Sequence, residues 1–528
     1  MVREREGAVA AAPPGSPVAE PTSRQRWVWA LVGLVLVTLP FLAVTIVPST
    51  DLPQHLGQLR LFGEALDDPG DRLTIQWWTP YGMVYALLAV PWLLLPPILA
   101  GRVGFWLIVA LQIGAVHWLA AKQGRPIAGA LLASTFIFHD QLYWGFLNFL
   151  FAFVVFAGWF ILTRRPEAAE MAHPRRTAAL FLVLSAALYF SHALWFACGL
   201  LWLALESLLS RRSWRNLAWR AAGVLPLVVV ALYWFAFLRR SVIASPPVWI
   251  LQPWERLRPV DFVLAALGAL RHPIELLVIA AAVLWVVGAL ISRRREPWWG
   301  CDRYLLALAG LFFALYLLVP NQFSTTMRMS TRWAPFIFLA LLLAVGRPRL
   351  RPGLRRALAV AVLGTLMVVS AAFWLGFEAN ELSGLEASLE ALEEGSRVIG
   401  LSYLETSRFF RGRPFIQTFS WAYAAKGGVL NFSFADSPLS LVVHNDLRRQ
   451  HWTRGLEWWP KAVRRSDFAH FDYALVGGDE QAHTTMRNTG VLRPVAGESP
   501  ETEAVWRLYR VEAPAAAVPV RPDVSLDP

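Results

Sequence analysis

Apolar runs of roughly 18–20 residues recur along the first 376 residues of this chain, and nothing else in it narrows the fold so far. A helix of that length crosses the hydrocarbon core of a bilayer. Lipid offers no partner to free backbone N–H and C=O groups, so several such runs predict spanning helices. The expected fold is therefore mainly α: a polytopic transmembrane helical bundle. Candidate spans fall at 27–48, 104–121, 126–139, 142–162, 177–191, 193–209, 221–238, 274–292, 303–320, 333–346 and 357–376, about eleven in all. Composition agrees, with 56% hydrophobic and 16% charged residues. The 26 Trp suit the membrane interface.

Short basic clusters separate the runs: Arg24/Arg26, Lys122/Arg125, Arg164/Arg165/Arg175/Arg176, Arg211/Arg212/Arg215/Arg220, Arg293/Arg294/Arg295 and Arg347/Arg349/Arg351/Arg355/Arg356. If all face the cytoplasm, the spans alternate consistently. The N-terminus is then cytoplasmic and the C-terminal region extracytoplasmic. The net charge of +12 is thereby explained as orientation signal, with no nucleic acid partner. The two cysteines, Cys198 and Cys301, form no disulfide framework or metal motif. Residues 1–26, rich in Ala, Pro and charge, read as a disordered cytoplasmic tail. The first run is too long for a signal-peptide core and lacks a following A-x-A-like site, so it reads as an uncleaved span.

One segment resists this scheme. Residues 79–100, "TPYGMVYALLAVPWLLLPPILA", are apolar enough to cross, but a crossing would invert every later basic loop. Pro91, Pro96 and Pro97 interrupt helical hydrogen bonding. Interfacial or re-entrant helices are expected here, beside a cavity on the outer side. After residue 376 the pattern changes to strand-like runs: "SRVIGLSY", "GGVLNFSF", "LSLVVHN", "FDYALVGG" and "VWRLYRVE". The organisation expected is a transmembrane module at 27–376 with a first outer loop at 49–103, a small extracytoplasmic α/β domain at 377–511, and a flexible tail at 512–528.

The first outer loop opens with "VPSTDLPQHLGQLR". "D-L-P-Q" matches a helix start, with Asp51 as N-cap and Gln54 completing a capping box. A helix also sets Asp51 and His55 on one face, because i and i+4 are neighbours. A carboxylate beside an apolar cavity has a raised pKa and can serve as a base. The same pair would supply two ligands to a divalent cation such as Mg or Mn, too few to argue a metal alone. Other polar residues expected at this level are His139 and Asp140 in "HDQLYWGFLNF", His192 in "YFSHALW", and Arg328 and Arg332 in "TTMRMSTRW". Each has a plainer reading as an interfacial or packing residue. Asn148 is expected to bond between helices. The Trp pairs 77/78, 298/299 and 458/459 read as interface anchors, with Trp78 also placed to stack on a sugar ring.

The "STDLPQHLGQLR" stretch resembles a D-x-P-x-H-L first-loop signature, and "YWGFLNFLFAF" resembles a W-G-F-x-N-aromatic stretch, in bacterial membrane proteins related to the GT-C superfamily. That superfamily comprises polytopic glycosyltransferases using lipid-phosphate-linked sugars, such as protein O-mannosyltransferases and lipid A aminoarabinose transferases. The resemblance implies transfer of a sugar from a polyprenyl-phosphate donor to a lipid, glycan or protein acceptor, on the outer face of a bacterial inner membrane. It implies Asp51 as base or metal-positioning group and Asp140 as a second acidic residue. The carboxylate doublet of some members is absent from the start of the loop, and Asp67/Asp68 lie farther on. Arg328 and Arg332, four residues apart, are candidate phosphate partners, since guanidinium suits phosphate through bidentate geometry. Rival classes are a transporter or flippase of envelope lipids or glycans, with ionisable groups along a central path, and a non-catalytic envelope assembly protein, with no outer cavity.

Overall fold

The computed structural model describes residues 22–67, 70, 72–241, 246–292, 301–323, 326–445, 451–495 and 504–512. Asp68, the Arg293–Arg295 cluster, Trp298/Trp299, the side chains of Arg239 and Arg240, and most of both expected tails lie outside them. The helix α1 (Ser23–Ala43) starts inside the expected N-terminal tail. Thr22 and Gln25 close a capping box there, each side chain accepting from the other's backbone N–H.

Next in the chain come α2 (Leu52–Asp67), α3 (Met83–Leu94), α4 (Pro97–Lys122), α5 (Ile127–Ser134), α6 (Asp140–Trp144) and α7 (Leu147–Thr163). Six described helices are long and apolar enough to cross a membrane: α1, α4, Ala193–Ser210, Trp214–Phe237, Ile274–Ser292 and Pro352–Glu381. The expectation of about eleven spans exceeds this count. The difference lies in expected spans that are shorter or less apolar: 126–139, 142–162, 303–320 and 333–346 fold as Ile127–Ile137, α7, Arg303–Leu318 and Thr331–Ala344, and 177–191 lies in the 18-residue Pro174–Ser191; α3, from the segment not counted as a span, is short too. At 1.5 Å per residue, the 12-residue α3 is about 18 Å long, well short of the ~30 Å hydrocarbon core. Ala334–Ala344 is buried along most of its length, so its apolar character serves protein packing.

Contacts join the basic clusters at one end of the bundle. Arg26 donates to the Arg125 carbonyl at 3.0 Å. Arg125 donates to the carbonyls of Leu343, Ala344 and Val345, which end another helix. Arg212 donates to the carbonyls of Thr163 and Arg165. Arg220 is buried beside them, held by Glu170 at 2.8 Å and Glu206 at 2.7 Å. A guanidinium so enclosed is tolerated because both carboxylates and a backbone carbonyl satisfy it.

The C-terminal region forms a five-stranded sheet from β2 (Arg397–Ser402), β3 (Val429–Leu430), β5 (Tyr473–Gly477), β6 (Leu492–Pro494) and β7 (Trp506–Val511), in the order β3-β2-β5-β7-β6. The first three pair parallel and the last two antiparallel. "LSLVVHN" does not join it. Its strand β4 (Val442–His444) pairs instead with β1 (Leu73–Ile75) of the first loop.

That pairing is one part of a longer seam along α2. Gln54 Nε2 donates to Gln417 Oε1 at 2.9 Å and Ser420 Oγ at 2.7 Å, and its Oε1 accepts from the Phe434 N–H at 2.9 Å. One turn on, Gln58 bonds both backbone groups of Val442, the carbonyl at 3.2 Å and the N–H at 2.8 Å. Arg60 donates to the carbonyls of Ala424 and Ala425. The helix approaches closely enough that a Cβ at Gly101 would stand 2.7 Å from Leu56 and 2.9 Å from Trp421. The capping box expected at Gln54 is therefore not formed, because its amide is spent on the C-terminal region. Gln58→Leu strands two buried backbone groups of Val442, each costing about 1–3 kcal/mol. The expected outcome is a lowered melting temperature and faster amide exchange at Val442 and Val443. Unchanged protection there would show that the seam does not depend on this amide.

Candidate functional site

The Asp51 loop hangs from the short helix α6. Thr50 N–H donates to the Tyr143 carbonyl at 2.9 Å, and Asp51 N–H to the Trp144 carbonyl at 3.1 Å. Gly145 ends α6 at φ +78°, a conformation L side chains rarely adopt. A Cβ there would stand 2.6 Å from Ser49 Oγ and 2.9 Å from the Asp51 nitrogen. The two sequence stretches singled out above are thus one interlocked unit. His55 fastens it further. Its Nδ1 meets the Tyr85 hydroxyl at 2.9 Å and its other nitrogen bonds the Gly145 backbone. Tyr85 also bonds Asn148. Burial lowers the His55 pKa to about 4, against the pull of that Gly145 bond, so the ring is neutral.

Asp51 faces a cavity of about 800 Å³. Among the described residues no hydrogen bond reaches its carboxylate, and no ion pair holds it. Desolvation pushes its pKa up to about 8, while the positive charge of Arg332 pulls the other way. Arg332 lies across the same cavity. Its guanidinium carbon sits 4.0 Å from the Phe146 ring centroid, and Nη2 donates to the Met327 carbonyl at 2.9 Å. Nε has no partner, and no carboxylate lies within ion-pair distance among the described residues. His192 caps the helix Ala193–Ser210 through Nδ1, which accepts from the Leu194 N–H at 3.1 Å. A neutral ring with Nδ1 accepting carries its proton on Nε2. That Nε2 stands 3.5 Å from Arg332 Nη1. Two donors facing each other in a cavity wall are satisfied by an anionic oxygen.

Of the residues expected here, Asp51, His55, His192 and Arg332 line the cavity and the others do not. Asp140 is ion-paired with Arg328, accepts from the Trp144 indole, and is buried outside the cavity lining. Asp140 and Arg328 pair with each other in this arrangement, and neither lines the cavity. The pair instead clamps the loop to α6, with Arg328 stacked 5.2 Å from the Trp144 ring. His139 is the N-cap of α6 and packs against Phe336, so it orients that helix and not a substrate. Trp78 is 64% exposed and absent from the cavity lining, so no sugar stacks on it there. His55 lines the cavity with both nitrogens engaged, which suits holding and not proton transfer.

Several lining residues escaped sequence reasoning. Tyr81 and Tyr85 come from the segment before and within α3, which puts that segment beside the cavity. Phe432, Phe434, Asp436, Trp458 and Trp459 come from the C-terminal region, which supplies one wall. Trp458/Trp459, expected as interface anchors, belong to that wall. Alternation and turn signals mark strands in this region, and no local signal tells which of its loops folds back over a helix 380 residues away. A divalent cation would need donors beyond Asp51 and the engaged His55. Among the described residues, no three His, Cys, Asp or Glu side chains gather to hold one.

Gly145→Ala combines a disfavoured φ with a direct clash against the Asp51 loop. We expect a destabilisation of about 1–3 kcal/mol. We also expect a fall in activity larger than the fall in folded protein, because the strain is relieved by moving Asp51. Activity per folded molecule equal to wild type, measured after a thermal-stability correction, would contradict the interlock.

No family model matches the sequence, and no curated protein matches it. Among solved structures, the chain is similar to the crystal structure of ArnT from Cupriavidus metallidurans bound to undecaprenyl phosphate. The two share 11% sequence identity at a TM-score of 0.51, over 93% of this chain and 98% of that one. A cryo-EM structure of the arabinofuranosyltransferase AftD from Mycobacteria aligns with 94% of this chain and 42% of its own, at 17% identity. Its TM-score of 0.41 is too low to speak for a shared fold. The chain is a polytopic membrane helical bundle with a C-terminal β-rich region, and its fold matches that of ArnT over nearly its whole length.

Proposed function

We propose that this chain is a membrane glycosyltransferase of the GT-C kind. It moves a sugar from a polyprenyl-phosphate donor to a hydroxyl of a lipid, glycan or protein acceptor. The observation that carries the reading is one cavity holding an unbonded carboxyl, Asp51, and a carboxylate-free guanidinium, Arg332. The likeness of fold to a protein solved with undecaprenyl phosphate supports it. So does the gathering of basic clusters at one end of the bundle, which suits a cytoplasmic N-terminus and a cavity on the outer face of a bacterial inner membrane.

In this reading, Arg332 and the Nε2–H of His192 hold the donor phosphate. The acceptor oxygen attacks the anomeric carbon as the bond from that carbon to the phosphate oxygen breaks. The electron pair departs with the phosphate, whose growing charge the guanidinium stabilises. Asp51 takes the acceptor proton. His55, Tyr85 and Gly145 keep the carboxyl in place. Transport is the weaker reading, because aromatic rings fill the bundle below the cavity. Phe149, Phe153, Phe156, Trp195 and Phe336 meet tilted or edge-on at 4.8–5.9 Å. They leave no chain of ionisable groups toward the Arg220 cluster, roughly 22 Å along α7 from Asn148.

A base must be ionised to act, and a carboxyl with pKa near 8 is mostly protonated at neutral pH. The acid limb of kcat/KM for sugar transfer should therefore rise with pH to a midpoint near 8. Arg332→Gln removes the attraction that favours the carboxylate, so it should move this limb to higher pH and raise KM for the donor. Asp51→Asn should fold normally and lose about 10²–10⁴-fold in rate. An Asp51→Asn protein with wild-type turnover would defeat the assignment, as would a flat profile between pH 6 and 9.

A further inference from the structure

A second cleft, of about 150 Å³, lies in the C-terminal region and shares Ile416, Trp458 and Trp459 with the large cavity. It opens at Ser402, the carboxyl end of β2, where strands of parallel sheets commonly present ligands. Two polar side chains lining it are nine-tenths buried and lack a partner at the atom concerned: Ser402 Oγ and Glu457 Oε2. Buried polar atoms of this kind are normally satisfied, so a pair of them in one cleft points to a ligand. The rest of the cleft mixes aromatic and aliphatic side chains with Arg413, Lys461 and Glu405. Arg413 lies 5.6 Å from the Trp458 ring, Trp459 is 66% exposed, and Lys461 pairs with Glu405 at the rim.

We propose that this cleft binds one sugar unit of a glycan acceptor, while the adjoining unit extends past Trp458 and Trp459 into the large cavity. This rests on the transferase reading above and names its acceptor class. The chemistry fits a neutral pyranose. An indole face covers the apolar C–H face of the ring, and the hydroxyl edge meets Ser402, Glu457 and the Arg413 guanidinium. The volume suits a single ring, which makes the remainder of the acceptor extend along the shared wall.

The test uses the full chain in nanodiscs, since glycoside detergents would compete. Saturation-transfer NMR would probe four trisaccharides: maltotriose, mannotriose, chitotriose and α-1,5-arabinotriose. At least one should bind at millimolar concentration. Its affinity should fall at least fivefold in Glu457→Gln and in Ser402→Ala, with unchanged melting temperatures, and fall again in Trp459→Ala. Binding is read without turnover, so a failed transferase assignment and a failed subsite give different results. Binding by none of the four would overturn the proposal. So would affinity indifferent to both Glu457→Gln and Ser402→Ala, or saturation transfer only to a serine/threonine-rich peptide.

Discussion

The site depends on one double attachment of the chain. The backbone of Thr50 and Asp51 is suspended from the carbonyls that end α6. The amides of Gln54 and Gln58, one and two turns later, are bonded to the C-terminal region. Between them the helix start is fixed from both sides, so Asp51 points into a cavity with no need to spend its own carboxylate on the fixing. An ordinary N-cap would have used that carboxylate on the backbone. Here the carboxylate stays unbonded, and burial raises its pKa.

Two of the buried arginines, Arg220 and Arg332, show the same economy from the positive side. Arg220 sits between two carboxylates and is electrically closed. Arg332 has a backbone carbonyl, an aromatic ring and a weakly placed imidazole, and no carboxylate in contact. Burial of a charge without a counter-ion is expensive; Arg256, equally without a carboxylate among the described residues, closes on backbone carbonyls and the Asn321 amide, whereas Arg332 faces the cavity with its Nε unpartnered. The contrast between these two residues in one chain says more about where an anion belongs than either does alone.

How much of this was legible beforehand follows from whether the signal is local. The Asp51–His55 spacing, the apolar runs and the positive residues on the cavity side are short-range patterns, and each led to a residue that lines the cavity. Asp140, Arg328 and His139 carried equally local signals and went elsewhere, because a partner chosen by tertiary packing consumed them. Gln54 read as a cap and proved to be a clasp. Hydropathy does not separate a helix buried in protein, such as Ala334–Ala344, from one facing lipid, so eleven expected runs correspond to six described helices long and apolar enough to span. Tyr81, Asp436 and Trp458 were invisible in this sense: their role exists only after segments far apart in sequence meet.

That last fact bears on how the molecule comes into being. The wall carrying Phe432, Phe434 and Asp436 is contributed by chain that leaves the ribosome some 380 residues after Gln54. Until it arrives, the half-made protein has its helices in the membrane but only one side of its pocket. A chain cut before residue 432 therefore lacks the Phe432, Phe434 and Asp436 side of the pocket.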